Sequence, residues 1–162
     1  MSIILGVDPG LNITGYGVIE VTTGMPRRVR LLEAGIVRSK SKELSKKIEE
    51  IFDGVTDVIG TFSPKVLALE EVYSHYKRPM TAVLMGHARG CICLAAAKSD
   101  IRVVSYAATK VKKLLTGNGR AGKEQIQRAI RLELNLDREP EPPDVADALA
   151  IALCHAYRSS LD

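Results

Sequence analysis

Three apolar segments of this chain each carry a carboxylate at one end, and that pattern constrains the fold more than any other feature. Asp8 closes Ile3-Ile4-Leu5-Gly6-Val7, and Glu70 closes Val66-Leu67-Ala68-Leu69. Asp144 and Asp147 precede Ala148-Leu149-Ala150-Ile151-Ala152-Leu153. The first two segments read as buried strands that deliver an acid. Asp144 and Asp147 are three residues apart, just after Pro142-Pro143, a spacing that puts both carboxylates on one face of a helix in its first turn. An acid at the edge of a core is costly unless something cationic meets it, so the set predicts a metal site. Oxygen-only ligation, with no suitable cysteine or histidine cluster, favours a hard ion such as Mg²⁺, with Mn²⁺ as a substitute. Singly, each acid has a plainer explanation: a turn at Pro9-Gly10 for Asp8, the helix macrodipole for Asp144, solvent for Glu70. Those explanations leave open why three separate apolar elements all carry acids at one end.

A chain of 162 residues fits one domain, 1–162, long enough to bury a substantial core. No uninterrupted apolar stretch of membrane-spanning length is expected, and the N-terminus enters Ile3-Ile4-Leu5 without a charged leader, so a soluble cytoplasmic protein is expected. Cys91, Cys93 and Cys154 lie among Ala, Leu and Ile and read as small buried hydrophobes, which implies a reducing compartment. The net charge is +4, but from Arg102 to Arg131 eight basic residues face one acid, Glu124. A polyanionic partner accounts for such a stretch beside an acidic site, as does a merely solvated helical face.

Turn signals divide the first third into three meandering strands, Ile3 to Asp8, Gly15 to Val21 and Val29 to Val37, with uncertain register. Leu44, Ile48, Ile51, Val55 and Ile59 recur at helical spacing, with Gly60 and Pro64 marking the end. A fourth strand, Val66 to Tyr73, carries Glu70, and Pro79 opens a long helix through Ala97. A fifth strand, Ile101 to Tyr106, precedes a short helix from Thr109 to Leu115. The glycine-rich segment Thr116 to Gly122 reads as an exposed loop. Two helices, Lys123 to Leu134 and Asp144 to Ser159, close the chain. This order predicts an α/β fold, a mixed five-stranded sheet flanked by helices, in the ribonuclease H-like arrangement. With the first strand central and the fourth beside it, Asp8 and Glu70 become neighbours and the last helix adds Asp144 and Asp147.

Four blocks together resemble the RuvC family of bacterial Holliday junction resolvases: Ile4-Leu5-Gly6-Val7-Asp8-Pro9-Gly10 with Gly15-Tyr16-Gly17; Leu69-Glu70-Glu71-Val72-Tyr73; Lys112-Lys113 through Gly117-Asn118-Gly119 to Lys123; and Asp144-Val145-Ala146-Asp147 through Ala152. The match runs nearly end to end. The resemblance implies a homodimeric, Mg²⁺-dependent endonuclease that nicks two like-polarity strands of a four-way DNA junction, with a RuvA-RuvB branch-migration complex as partner. Asp8, Glu70, Asp144 and Asp147 fall on the family's catalytic acids, Lys112 and Lys123 on lysines that matter for activity, and Tyr73 on an aromatic position that contacts DNA. Glu71 departs from a neutral Gln found in some members, and strand alternation predicts that it faces away from the site.

Phosphodiester hydrolysis needs an activated water, a stabilised leaving alkoxide and an in-line phosphate, and two Mg²⁺ ions supply all three. Lys112, Lys113, Lys123 and Arg120 are expected to neutralise flanking phosphates, and Tyr73 to stack on an unpaired base. His155 is expected to be a core or rim histidine rather than a ligand, His87 structural or interfacial, and His75 a loop residue with or without DNA contact. Ala82, Gly86 and Gly90 form a small-residue stripe that suits either a dimer contact or tight packing within one chain. Sugar-kinase and actin-like ATPases share the Asp-x-Gly opening but need two lobes to enclose ATP. A DNA-binding module on this scaffold, or a resolvase-like nuclease acting on RNA, are further rivals, and the lysine block with the terminal Asp pair speaks for the junction enzyme.

Overall fold

The computed structural model describes residues 1–22, 24, 26–71 and 78–158. Five strands form one mixed sheet in the order β3-β2-β1-β4-β5. β1 (Ser2–Asp8), β2 (Ile13–Val21) and β3 (Val29–Arg38) make the antiparallel meander, while β4 (Val66–Glu70) and β5 (Arg102–Tyr106) run parallel to β1. The parallel strands are joined through α1 (Leu44–Phe62) and α2 (Pro79–Lys98). The chain ends in α3 (Ala108–Thr116), α4 (Lys123–Glu133) and α5 (Pro143–Arg158).

The central strands are apolar on both faces because both faces are covered. On one side Leu5, Val7, Leu67 and Leu69 pack against Ile51 and Val55 of α1 and Ile92 of α2. On the other, Ile4, Ala68 and Tyr106 meet Val111 of α3, Ile126 and Ile130 of α4, and much of α5. α5 is the most enclosed helix: Val145, Ala146 and every residue from Ala148 to Ala156 are buried. His155 lies in this layer as expected of a core histidine, its Nδ1 2.6 Å from the Tyr106 hydroxyl. Burial, then the charges of Arg102 and Arg27, hold its pKa below the usual imidazole range.

Several boundaries differ from the sequence reading. α1 runs through Gly60 to Phe62 and stops at Ser63, which adopts φ 47° and returns its N–H to the Ile59 carbonyl at 2.8 Å. Phe62 packs against the core on that side, a contact that works against the roughly 1 kcal/mol a helical glycine costs. β4 ends at Glu70 rather than Tyr73, with Glu71 exposed beyond it; Val72, Tyr73 and His75 lie outside the described residues. The alternation of β3 is broken because pairing shifts from Val18↔Glu33 to Ile19↔Leu31, leaving Leu32 as an extra residue.

The expectation that no stretch has membrane-spanning length needs correcting for α2, whose 20 residues are long and apolar enough by length and composition. Its apolarity serves two surfaces instead of one. Ala88, Cys91, Ile92, Ala95 and Ala96 are buried, while Met80, Val83, Leu84 and Leu94 are exposed. Gly86 and Gly90 are exposed as well, with none of the described residues near the position a Cβ would take, so these two glycines are not packed against the chain's own sheet. His87 is exposed on the same helix. All three cysteines are free, Cys91 and Cys154 buried and Cys93 half-buried.

Candidate active site

The alternation of side chains along a strand sets the first two acids. Ile4 and Ala68 point to the α5 side of the sheet, Leu5, Val7, Leu67 and Leu69 to the other. Counting by twos, Asp8 and Glu70 emerge on the α5 side, each as the last residue of its strand. β1 and β4 are adjacent and parallel, so both acids leave the same end of the sheet.

Asp144 and Asp147 come from the start of α5, where Pro143 sits in the first turn. That helix lies very close to β1 and β2, and two glycines permit it. A Cβ on Gly6 would run into the Ala148 carbonyl, and one on Gly15, the partner of Asp8 in the ladder, into the backbone of Asp144. The absence of side chains at these two positions therefore sets the height of the helix above the sheet, and with it the reach of its two acids.

The charges of the four acids act on one another. Burial pushes the Asp8 carboxyl up to about 8, and the charges of Asp147, Asp144 and Glu70 each add to the rise. Glu70 is raised by burial and then by Asp147, with the Lys112 ammonium pulling the other way. Asp147 is raised by burial and by Asp144, against Lys123 and Lys112. Asp147 nonetheless keeps an exposed side toward solvent, so its carboxylate is crowded without being sealed. Among the described residues no three His, Cys, Asp or Glu side chains are drawn tightly enough together to make a ready metal cage. Four anions sharing one end of a sheet repel one another, and an all-oxygen donor set of this charge fits a hard divalent cation.

Beside the acids opens a cleft of about 210 Å³ between α3, α4 and α5. Glu70, Asp147, Lys112, Lys123 and Gln127 line it above an apolar floor that includes Val111 and Ile151. The structure thus brings together Asp8, Glu70, Asp144, Asp147, Lys112 and Lys123. It leaves Lys113 and Arg120 exposed outside that lining. Arg120 sits in the expected loop, its N–H held by the Asn118 side chain at 2.9 Å. Glu71, which strand alternation is expected to turn away from the site, lies one residue past the end of β4 and is exposed. Gln127 is the cleft residue that the sequence reading missed. It lies one helical turn after Lys123 on α4, and that i, i+4 spacing was the available signal.

A mixed five-stranded sheet with acids at one end of its two central strands, facing a helix that brings two more, is a ribonuclease H-like α/β fold. The model of the family described as crossover junction endodeoxyribonuclease RuvC matches residues 4–155. A crossover junction endodeoxyribonuclease RuvC from Rhodopirellula baltica is 52% identical over 157 residues, spanning 96% of this chain and 86% of that protein. The RuvC structure from Thermus thermophilus superposes with a TM-score of 0.89 at 34% identity, covering 98% of this chain and 96% of the other. The same protein in complex with Holliday junction substrate gives 0.87 at 31% identity, with the same coverage. The chain belongs to the RuvC family of crossover junction endodeoxyribonucleases.

Proposed function

We propose that this chain is a structure-selective endodeoxyribonuclease, a single RuvC-type nuclease domain over residues 1–162. It resolves Holliday junctions by paired nicks in like-polarity strands, through metal-dependent phosphodiester hydrolysis, in homologous recombination and DNA repair. What supports the reading is that Asp8 and Glu70 leave one end of the sheet toward α5, which carries Asp144 and Asp147, beside a cleft lined by Lys112 and Lys123. Asp8 feels all three other acids, and Asp8, Glu70, Asp144 and Asp147 are the residues that would hold two Mg²⁺ ions, with Mn²⁺ as substitute. When bound, such ions lower the pKa of a coordinated water and offset charge on the phosphate and the leaving oxygen.

The protein's own groups do the rest. Lys112 and Lys123 supply fixed positive charge at the cleft, where they hold a phosphate against the acids, and Gln127 offers a neutral donor and acceptor beside it. Lys113 and Arg120, on the exposed rim, extend the phosphate track in a sequence-independent and salt-sensitive way. Tyr73, outside the described residues, is assigned to stacking on an unpaired base near the crossover. The exposed apolar side of α2, with Gly86 and Gly90 open beside it, supports a homodimer that presents two sites to a two-fold junction. The family resemblance adds a cytoplasmic setting and a RuvA-RuvB branch-migration complex as partner.

The test offers labelled four-way junction, linear duplex and RNA/DNA hybrid with Mg²⁺ to the wild-type chain and to Asp8→Asn. Symmetric nicks in the junction alone, leaving 5′-phosphate and 3′-hydroxyl ends that a ligase reseals, are expected for the wild type and none for the variant. Equal cleavage of hybrid or duplex would sink the junction assignment.

A further inference from the structure

Glu70 is the last residue of its strand, and its neighbours stop holding it on one side. The β1–β4 ladder ends at Val7↔Leu69, one residue earlier, while β5 continues through Glu70↔Tyr106. Beyond Glu70, among the described residues, the Glu71 N–H still reaches the sheet, at the Tyr106 carbonyl 2.9 Å away. Strand ends held by few contacts open most readily, and a ligand on such an end is placed only as well as the end is.

From the opposite layer, the half-buried Arg89 of α2 reaches this point. Its Nη1 donates to the Glu70 carbonyl oxygen at 2.5 Å and its Nη2 to the Ser105 hydroxyl on β5 at 2.6 Å. Ser105 pairs with Leu69, so one guanidinium clips the end of β4 to β5 from the face opposite the acids. The planar fork holds two acceptors in fixed relation, which a single ammonium does not do. We infer that Arg89 is a positioning residue, whose two hydrogen bonds fix the end of β4 and thereby aim the Glu70 carboxylate at the divalent ion. The inference rests on the reading of Glu70 as an ion ligand.

The test compares Arg89→Lys, Arg89→Gln and Ser105→Ala with wild type in melting, in calorimetric titration with Mn²⁺ without DNA, in junction affinity under chelator, and in nicking across Mg²⁺ concentrations. The expected result for both Arg89 variants is a folded protein with wild-type junction affinity under chelator. Ion affinity and nicking at low Mg²⁺ should each fall about 10–100-fold, as for other residues that orient a ligand, with partial recovery at high Mg²⁺. Ser105→Ala should move in the same direction by less. A folded Arg89→Lys with wild-type ion affinity and Mg²⁺ dependence would overturn the inference, and so would a loss of nicking matched by loss of chelated junction binding. Should both Arg89 variants unfold, Ser105→Ala decides: unchanged ion affinity there overturns it. If wild type fails to nick junctions, the functional reading falls, and the Mn²⁺ titration still decides the role of Arg89.

Discussion

Asp8 is the side chain on which burial and the charges of all three other acids act together. Its folded carboxyl titrates near 8, raised from 3.8 by burial and then by three neighbouring acids. Between about pH 4 and pH 8 the folded chain therefore retains a proton that the unfolded chain has released, and stability in chelator falls as pH rises through that window. Thermal melts at several pH values should show that decline, and Asp8→Asn should flatten it, melt higher than wild type at pH 8 and lose the gain in melting temperature that Mg²⁺ gives the wild type. The lysines divide by position. Lys112→Ala removes charge that acts on Glu70 and Asp147, and Lys123→Ala removes charge that acts on Asp147, so both should lower the single-turnover rate. Lys113→Ala and Arg120→Ala should leave that rate nearly unchanged and weaken junction binding, each reducing the slope of log affinity against log salt by about 1. The acids were legible in the sequence because each interrupts an apolar run, where a charge demands a reason. Composition did not show which basic residues turn inward, because eight of them crowd a short stretch; the resemblance singled out Lys112 and Lys123, and the docking of α3 and α4 on α5 puts those two at the cleft.

Elements were legible where a single stretch settles its own fate and obscure where another element decides. The strand order followed from the meander and the two helical crossovers, whereas the ends of α1 and β4 depended on contacts with distant residues such as those of Phe62. The glycines of β1 and β2 are the instructive case. In sequence, Gly6 and Gly15 look like weak points of two strands, yet each marks where the backbone of α5 presses on the sheet. Gly15→Ala therefore sets a methyl group against Asp144 itself. The expected cost is about 1–3 kcal/mol of stability, as for other overpacked contacts, with a larger loss of nicking than the folded fraction explains. Denaturant melts with nicking rates corrected for folded protein would check this. A rate that merely tracks the folded fraction would mean that α5 shifts without moving its acids.

At the scale of the whole molecule, the sheet separates two tasks. The α3–α4–α5 layer carries the acids, the lysines and the cleft, while the α1–α2 layer carries an exposed apolar face that the chain's own core does not use. Composition alone could not separate these tasks, because α2 reads as uniformly apolar and its small residues suit packing on either side. Gly86 and Gly90 give the separation a sign that can be measured. None of the described residues occupies the space a Cβ would take at either position, and alanine is favoured over glycine in a helix interior by up to about 1 kcal/mol. Within a single chain, Gly86→Ala with Gly90→Ala should therefore raise stability. If the stripe is where two copies meet closely, the same methyl groups hold the helices apart, and the dimer should weaken. Sedimentation over a range of concentrations, beside melts at concentrations where the chain is monomeric, should show these opposite effects. Paired nicking of one junction should then give way to single nicks, because resolution needs two sites on one substrate, while cleavage per site persists. A variant that is more stable, equally dimeric and still nicks in pairs would place the dimer contact on another surface.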